Sequence, residues 1–369
     1  MNRTCRDPPE SPPRRRPGTD GPGTARSSHP RRSCRFAQGC PAACSGLRKV
    51  PFPWVFRHVP RPGNLVATHH QHRSGCVHGH DGGARAPGVH GGDAVSARLR
   101  GIARETQKIV EAGGYVRPDG HPVSLADAIE AARRDTRMLG PEPVPVPEAA
   151  PADTRIEVTG ESSLEAARRL AHRPVAVLNF ASARNPGGGF LNGAQAQEEA
   201  LCRASALYTC LLRAPEFYEH HRTHRDPFYT DRVIHSPAVP VFRDDRGRLL
   251  QVPYRVGFLT AAAPNAGVVL RKAPDRAAEL PGALAVRAER VLETAAAHGY
   301  RRLVLGAWGC GVFRNDPARV AGAFRALLVP GGRFAHRFEH VVFGVLDRTG
   351  ATRAAFERCF ADVAARVEP

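Results

Sequence analysis

An α/β domain with a largely parallel or mixed sheet is the fold class this sequence predicts, and three observations predict it. From Arg155 onward, apolar runs of strand length alternate with longer stretches of helical period. Two of the strand-like runs lead straight into glycine clusters, each followed by a helix start. The excess positive charge is concentrated upstream of this alternating pattern rather than within it.

The chain has 369 residues and a formal net charge of +18, with 42% hydrophobic and 24% charged residues. That length suits two or three domains and a full core. No uninterrupted apolar run is long enough for a transmembrane helix. No basic stretch precedes an apolar core and small-residue cleavage site, and nothing apolar follows the Arg14–Arg16 run, so no export signal is expected. Nine cysteines are too dilute for a disulfide scaffold. A soluble cytoplasmic protein with reduced thiols, monomeric and away from membranes, is the expectation.

Residues 1–94 carry fifteen Lys and Arg against five Asp and Glu, and hold thirteen Pro, thirteen Gly, eight His and five Cys. Apart from Val50–Val59 they show neither a strand nor a helix period, so they are expected to be disordered. A nucleic-acid-binding tail is disfavoured because aromatic interleaving and any known module are missing. A metal site from Cys34, Cys40, Cys44 and Cys76 with His69, His70 and His72 is disfavoured because no second ligand pair stands at zinc spacing. The abrupt change of character at Val95 is read as a mis-assigned start, with upstream sequence translated in error.

Residues 95–150 read as a helical accessory region with a Pro-rich linker. Ser96–Glu111 has a helical stripe of Leu99, Ile102, Ala103, Ile109 and Val110, closed by Gly113 and Gly114. Ser124–Met138 reads as a second helix with Ser124 as N-cap. Five prolines make Pro141–Pro151 extended.

Residues 151–369 read as the main domain. Strands are expected at Arg155–Val158, Val175–Asn179, Val233–Phe242, Tyr254–Thr260, Arg302–Leu305 and Val341–Leu346. Helices are expected at Ser162–Ala171, Gln195–Arg213, Pro281–Ala297, Pro317–Leu328 and Thr352–Val363. Asp316 and Pro317 supply an N-cap and N1 pair. His220, His221 and His224 read as a solvated helix end rather than a metal site, and Cys202, Cys210 and Cys359 as small core residues.

Two loops and one acidic pair carry the chemistry. After Val177-Leu178-Asn179 come Asn185-Pro186 and Gly187-Gly188-Gly189; after Leu303-Val304-Leu305 come Gly309-Cys310-Gly311-Val312-Phe313. Glycines after a strand let the backbone approach a ligand and direct N–H groups at its oxygens. Neither loop has dinucleotide-fingerprint or P-loop spacing. Together they would suit a pyrophosphate. Gln197-Glu198-Glu199 opens the helix after the first loop. Acids there suit the macrodipole by about 0.3–1 kcal/mol each; alternatively, neighbouring carboxylates cannot both ionise freely, leaving one protonated as a general acid. Successive helical residues differ by about 100°, so the two glutamates would take different roles.

Three glycines, seven residues and Gln197-Glu198-Glu199 resemble the signature of poly(ADP-ribose) glycohydrolases. The run Asn185–Glu199, His235-Ser236-Pro237, Val239–Asp244, Ala263-Pro264-Asn265 and Gly309–Phe313 is similar to the microbial branch of that family, in family order from about Val95 to Val367. The resemblance implies a macrodomain-like mixed sheet sandwiched by helices, with additional N-terminal helices. It implies hydrolysis of ribose–ribose O-glycosidic bonds to release ADP-ribose from the chain end, with poly(ADP-ribose) and ADP-ribosylated proteins as substrates and no cofactor or metal. Glu199 would be the acid and then the base, Glu198 would hold ribose hydroxyls, and Gln197 would hold the helix start. Gly187, Gly188 and Gly189 would approach the terminal ribose. Gly309, Cys310, Gly311, Val312 and Phe313 would wrap the diphosphate, with Phe313 against that ribose. Asn179 and Asn185 would contact ribose or brace the loop. A non-catalytic ADP-ribose-binding macrodomain is the alternative; the intact glutamate pair argues against it.

Overall fold

The computed structural model describes residues 91–363. The expected tail disorder and the Cys and His set of that tail lie outside the described residues. Helix α1 (Gly91–Ala112) starts five residues before Ser96 and buries Leu99, Ala103 and Ile109. A hairpin follows that the sequence reading did not contain, β1 (Gly114–Val116) against β2 (Pro122–Ser124). Ser124 therefore ends a strand instead of capping a helix. The next helix, α2 (Ala126–Asp135), begins after Leu125 without a side-chain cap. It also stops before Met138, because Arg137–Leu139 forms strand β3, paired antiparallel with a later strand through Met138 opposite Ile234.

Strand β4 (Arg155–Thr159) leads to α3 (Ser163–Leu170), which opens with a capping box: Glu165 N–H donates to Ser162 Oγ and Ser162 N–H to Glu165. Strand β5 (Val175–Phe180) runs into the first glycine loop. The single helix expected over Gln195–Arg213 is two, α4 (Gln197–Ala204) and α5 (Leu207–Leu211). Ser205 breaks it by adopting extended backbone and bridging to Val241; its hydroxyl donates to Leu201 O at 2.7 Å and accepts from Leu207 N–H at 3.2 Å. Helix α6 (Pro215–His224), with Pro at N1, ends at the His220–His224 segment that the sequence reads as a helix end. There His221 is buried rather than solvated, bonded to Thr230 Oγ1 at 2.8 Å; burial, chiefly, lowers it to about 4.

The antiparallel pair β6 (Val233–Arg243) and β7 (Leu249–Ala261) is longer than expected. It precedes α7 (Ala266–Lys272), a 3-10 turn at Pro274–Glu279, and α8 (Leu280–Ala297). Strand β8 (Arg302–Gly306), α9 (Pro317–Leu328), β9 (His340–Gly344) and α10 (Ala351–Cys359) complete the described chain. Asp316 caps α9 through Ala318 N–H at 2.8 Å, as the Asp-Pro pair suggested.

The main sheet has seven strands in the order β3-β6-β7-β5-β8-β9-β4. The five from β7 to β4 are parallel, while β3, β6 and β7 pair antiparallel. The sheet is mixed, with helices on both faces. Along β5, Val175 and Val177 point into a core with α1, α3, α4 and α5, and Ala176 and Leu178 into one with α8, α9 and α10. Coverage of both faces explains why β5 reads as an unbroken apolar run. Segment 95–150 is part of this body: it supplies edge strand β3, and the amide of Val144 donates to the buried carboxylate of Glu293 on α8. Among the described residues no helix is long and apolar enough to cross a membrane, and the four cysteines are free, Cys202 and Cys210 buried, Cys310 and Cys359 partly so. From β5 the chain goes first to β6 and β7 on one side and then to β8 on the other, so the C-terminal ends of the parallel strands β7, β5 and β8 open on one edge where the strand order reverses.

Candidate active site

Both glycine loops leave the sheet at that edge, from the adjacent strands β5 and β8. The first folds back onto the N-terminus of α4. Gln197 staples helix to strand: its Oε1 accepts from Phe180 N–H at 2.9 Å, and its Nε2 donates to Leu178 O at 2.8 Å and Ser163 Oγ at 3.0 Å. The two glutamates next to it are buried, Glu198 at 3% and Glu199 at 7% exposure.

Their surroundings differ. Glu198 has both oxygens held: Oε1 accepts from Asn179 Nδ2 at 3.1 Å and Oε2 from Ser182 N–H at 2.7 Å. Asn179, at the end of β5 and fully buried, also donates to Thr260 Oγ1 at 3.1 Å, its register partner on β7. Glu199 has one oxygen held, Oε1 accepting from Gly189 N–H at 2.8 Å; its Oε2 is buried with no hydrogen-bond partner among the described residues. Burial pushes the Glu198 carboxyl up to about 8, opposed by the Ser182 and Asn179 hydrogen bonds and reinforced by the charge of Glu199. Burial thus stabilises a proton on Glu198, one residue before the acid that the resemblance implies.

Gly187 and Gly188 have φ of +65° and +57°, so the loop needs residues that tolerate left-handed backbone. At Gly188 a Cβ would stand 2.4 Å from Glu199 Oε1 and 3.2 Å from Glu198 Oε2. The missing side chain is what lets the loop lie on the glutamates. Asn185 is exposed; its carbonyl accepts from Gly188 N–H at 2.9 Å and its own N–H donates to Ser182 Oγ at 3.2 Å, so its backbone braces the turn.

The second loop has a fixed base and an open tip. Trp308 Nε1 donates to Ala261 O at 2.9 Å, and buried Asn315 donates through Nδ2 to Pro264 O at 2.8 Å and Gly309 O at 3.1 Å. Gly311 and Val312 are exposed, Val312 to 81%. Phe313 is half-buried, its ring 5.7 Å from that of Tyr229. Cys310 has its thiol pushed up to about 12, chiefly by burial, which does not suit a nucleophile.

The microbial-type PARG catalytic domain model matches residues 103–244. The poly(ADP-ribose) glycohydrolase structure from Thermomonospora curvata is 51% identical, with a TM-score of 0.67, covering 72% of this chain and 100% of that one. The chain belongs to the microbial-type poly(ADP-ribose) glycohydrolase family. A second structure from that organism, bound to the inhibitor ADP-HPD, is 51% identical, with a TM-score of 0.65, covering 71% of this chain and 99% of that one. The glycohydrolase from Deinococcus radiodurans in complex with ADP-ribose is 46% identical, with a TM-score of 0.59, covering 64% of this chain and 98% of that one. No curated protein is found to match. Family membership accords with the macrodomain-like sheet and the glycine–glutamate motif.

The sequence reading had named Gln197, Glu198, Glu199 and Asn179, which the fold brings together, and had missed the groups that hold them. Ser182 lies between Asn179 and Asn185 and is a legible donor only once the loop geometry is known. Thr260 meets Asn179 only through parallel strand register. Arg203 stands one helical turn after Glu199, a spacing the sequence does show.

Proposed function

We propose that this protein hydrolyses the ribose–ribose glycosidic bonds of poly(ADP-ribose), releasing ADP-ribose, with Glu199 as acid and then base. The observation that carries the reading is the asymmetry of the pair: Glu198 has both oxygens engaged, while Glu199 is held through Oε1 and keeps Oε2 unpartnered. A group fixed at one oxygen and free at the other is suited to move a proton at a defined place.

In this reading Glu199 donates its proton to the ribose oxygen leaving from C1″. The C1″–O bond breaks with its electron pair going to that oxygen, leaving an oxocarbenium ion. Water adds to C1″ while the Glu199 carboxylate takes the water's proton, which restores the acid. A single carboxylate serves both steps, unlike the two-carboxylate glycosidases. Glu198 accepts ribose hydroxyls with the lone pairs that Asn179 and Ser182 leave over. Gln197 keeps the helix start against β5, and Asn179 acts behind Glu198. Gly187–Gly189 border the terminal ribose, and the loop Gly309–Phe313, exposed at Gly311 and Val312, wraps the diphosphate with Phe313 beside the ribose. Release from the chain end, a cytoplasmic location, a monomeric state and the division at residues 94 and 150 belong to the same proposal and rest on the sequence reading.

The test is incubation of the full chain with poly(ADP-ribosyl)ated protein and chromatography of what is released. Monomeric ADP-ribose from the outset supports the reading, whereas early oligomers would overturn chain-end release. ADP-ribose binding without any release would replace the enzyme with a reader.

A further inference from the structure

We propose that Arg203 is a positioning residue for Glu199, fixing the glycine loop that holds the Glu199 carboxylate and linking that loop to helix α1. This rests on the reading of Glu199 as the acid.

A line of hydrogen bonds runs from the N-terminal helix to the carboxylate. Buried Arg243 on β6 donates through Nε to Thr106 Oγ1 at 3.1 Å and pairs with Glu105 at 3.0 Å. Thr106 Oγ1, on α1, donates to the carbonyl of Arg203 at 2.7 Å. The Arg203 guanidinium donates through Nη1 to Ala194 O at 2.5 Å. Ala194 N–H donates to Gly189 O at 3.1 Å, and Gly189 N–H donates to Glu199 Oε1 at 2.8 Å. Ala194 and Gly189 are each held through both their N–H and their carbonyl, so the residue whose N–H fixes Glu199 is itself fixed by the returning end of the loop.

Arg203 is the junction. It lies four residues after Glu199 on the same face of α4, and its side chain reaches back over the helix start to the loop. It is buried, an expensive place for a guanidinium unless its donors are used. The loop leaves little slack there: a Cβ on Gly189 would stand 2.7 Å from Ala194 Cβ, and one on Gly193 would stand 2.4 Å from Ser96 O of α1. Moving Ala194 therefore moves Gly189, and with it the hydrogen bond that leaves Glu199 Oε2 free. Glu198, held by Ser182 and Asn179 from the other side, is outside this line.

The experiment compares Arg203→Met, Arg203→Lys and Thr106→Val in the full chain, measuring kcat and KM for ADP-ribose release, the Kd for ADP-ribose by calorimetry, and Tm. Misplacement of a reacting group by about 1 Å costs about 10²-fold. Arg203→Met should lower kcat by about that factor while KM and Kd stay within about twofold. Arg203→Lys, which keeps a charged donor, should recover part of the loss. Thr106→Val should lower kcat by about fivefold, the worth of one hydrogen bond. A folded Arg203→Met enzyme with wild-type kcat overturns the proposal. So does equal loss of kcat and ADP-ribose affinity, which marks collapse of the whole site. If Arg203→Met does not fold, Thr106→Val decides alone, and an unchanged kcat there overturns it. Failure of the wild-type chain to release ADP-ribose would instead sink the enzyme reading itself.

Discussion

The two glycine loops leave adjacent parallel strands at the same edge of the sheet, yet they are built in opposite ways. The loop after β5 is turned inward: Gly189 N–H and the position above Gly188 both face Glu199, and Tyr208 and Cys202 close over Gly187. The loop after β8 is fastened at its base by Trp308 and Asn315 and turned outward at its tip, where Gly311 has open space around it. The difference teaches that glycine serves two ends in one site. In the first loop it removes bulk so that backbone can hold a catalytic carboxylate; in the second it leaves backbone free for a ligand. Substitutions in the first should therefore cost turnover, and substitutions in the second should cost binding or nothing.

The largest expected effect lies where the inward loop ends. Glu199→Gln keeps the size and the Gly189 hydrogen bond but removes the transferable proton, so kcat should fall by about 10²–10⁴-fold or more. Affinity for ADP-ribose, measured by calorimetry, should change little. Near wild-type turnover would show that another group is the acid.

Next comes the loop itself. Gly188→Ala puts a methyl group 2.4 Å from Glu199 Oε1 on backbone with φ of +57°. The left-handed conformation alone costs about 1–2 kcal/mol for a residue with a side chain, and the displaced carboxylate should cost kcat about 10²-fold. The sequence reading expected this glycine to face ribose, which would make affinity the main casualty. A melting scan with side-by-side kcat and Kd separates the two: loss confined to Kd would show that Gly188 serves only the ribose wall and not the placement of Glu199.

A smaller effect concerns charge rather than shape. Burial raises Glu198 to about 8, above its value in an unfolded chain of about 4.5. Between those values the folded form binds more protons than the unfolded one, so this group's contribution to stability is full below about 4.5 and is lost as pH rises through about 8. Glu198→Gln removes the dependence. The Tm of the variant minus that of the wild type should therefore increase from pH 5 to pH 9; a flat or falling difference would contradict a proton held on Glu198.

The fold was legible in the sequence to the extent that it obeys a period. The strands β5, β8 and β9 are unbroken apolar runs because both faces are covered, and Asp316-Pro317 announces its helix. What stayed hidden depends on partners distant in sequence. The Gln195–Arg213 stretch has one helical period throughout, yet Ser205 leaves it for a bridge to Val241. Arg137–Leu139 looks like the tail of a helix until β6 offers it an edge. In the site, the motif named Gln197, Glu198 and Glu199, but not which carboxylate keeps a free oxygen. That is decided by Ser182, Asn179 and Gly189, whose donors converge only after the loop has folded back.

The smallest effect tests the outward loop. At Gly311 an added Cβ meets nothing within 4 Å, and its φ is not in the left-handed region. Gly311→Ala should therefore leave Tm nearly unchanged or raise it slightly, since alanine loses less chain entropy on folding, by about 0.4–1 kcal/mol. Turnover at saturating substrate should also hold, because nothing at this tip touches the glutamates. If the tip approaches the diphosphate as closely as the proposed function requires, the methyl group will intrude only when ligand is bound, and the ADP-ribose Kd will rise while Tm of the free protein does not. Equal behaviour of Gly311→Ala and Gly188→Ala, with kcat lost in both, would erase the distinction between the two loops.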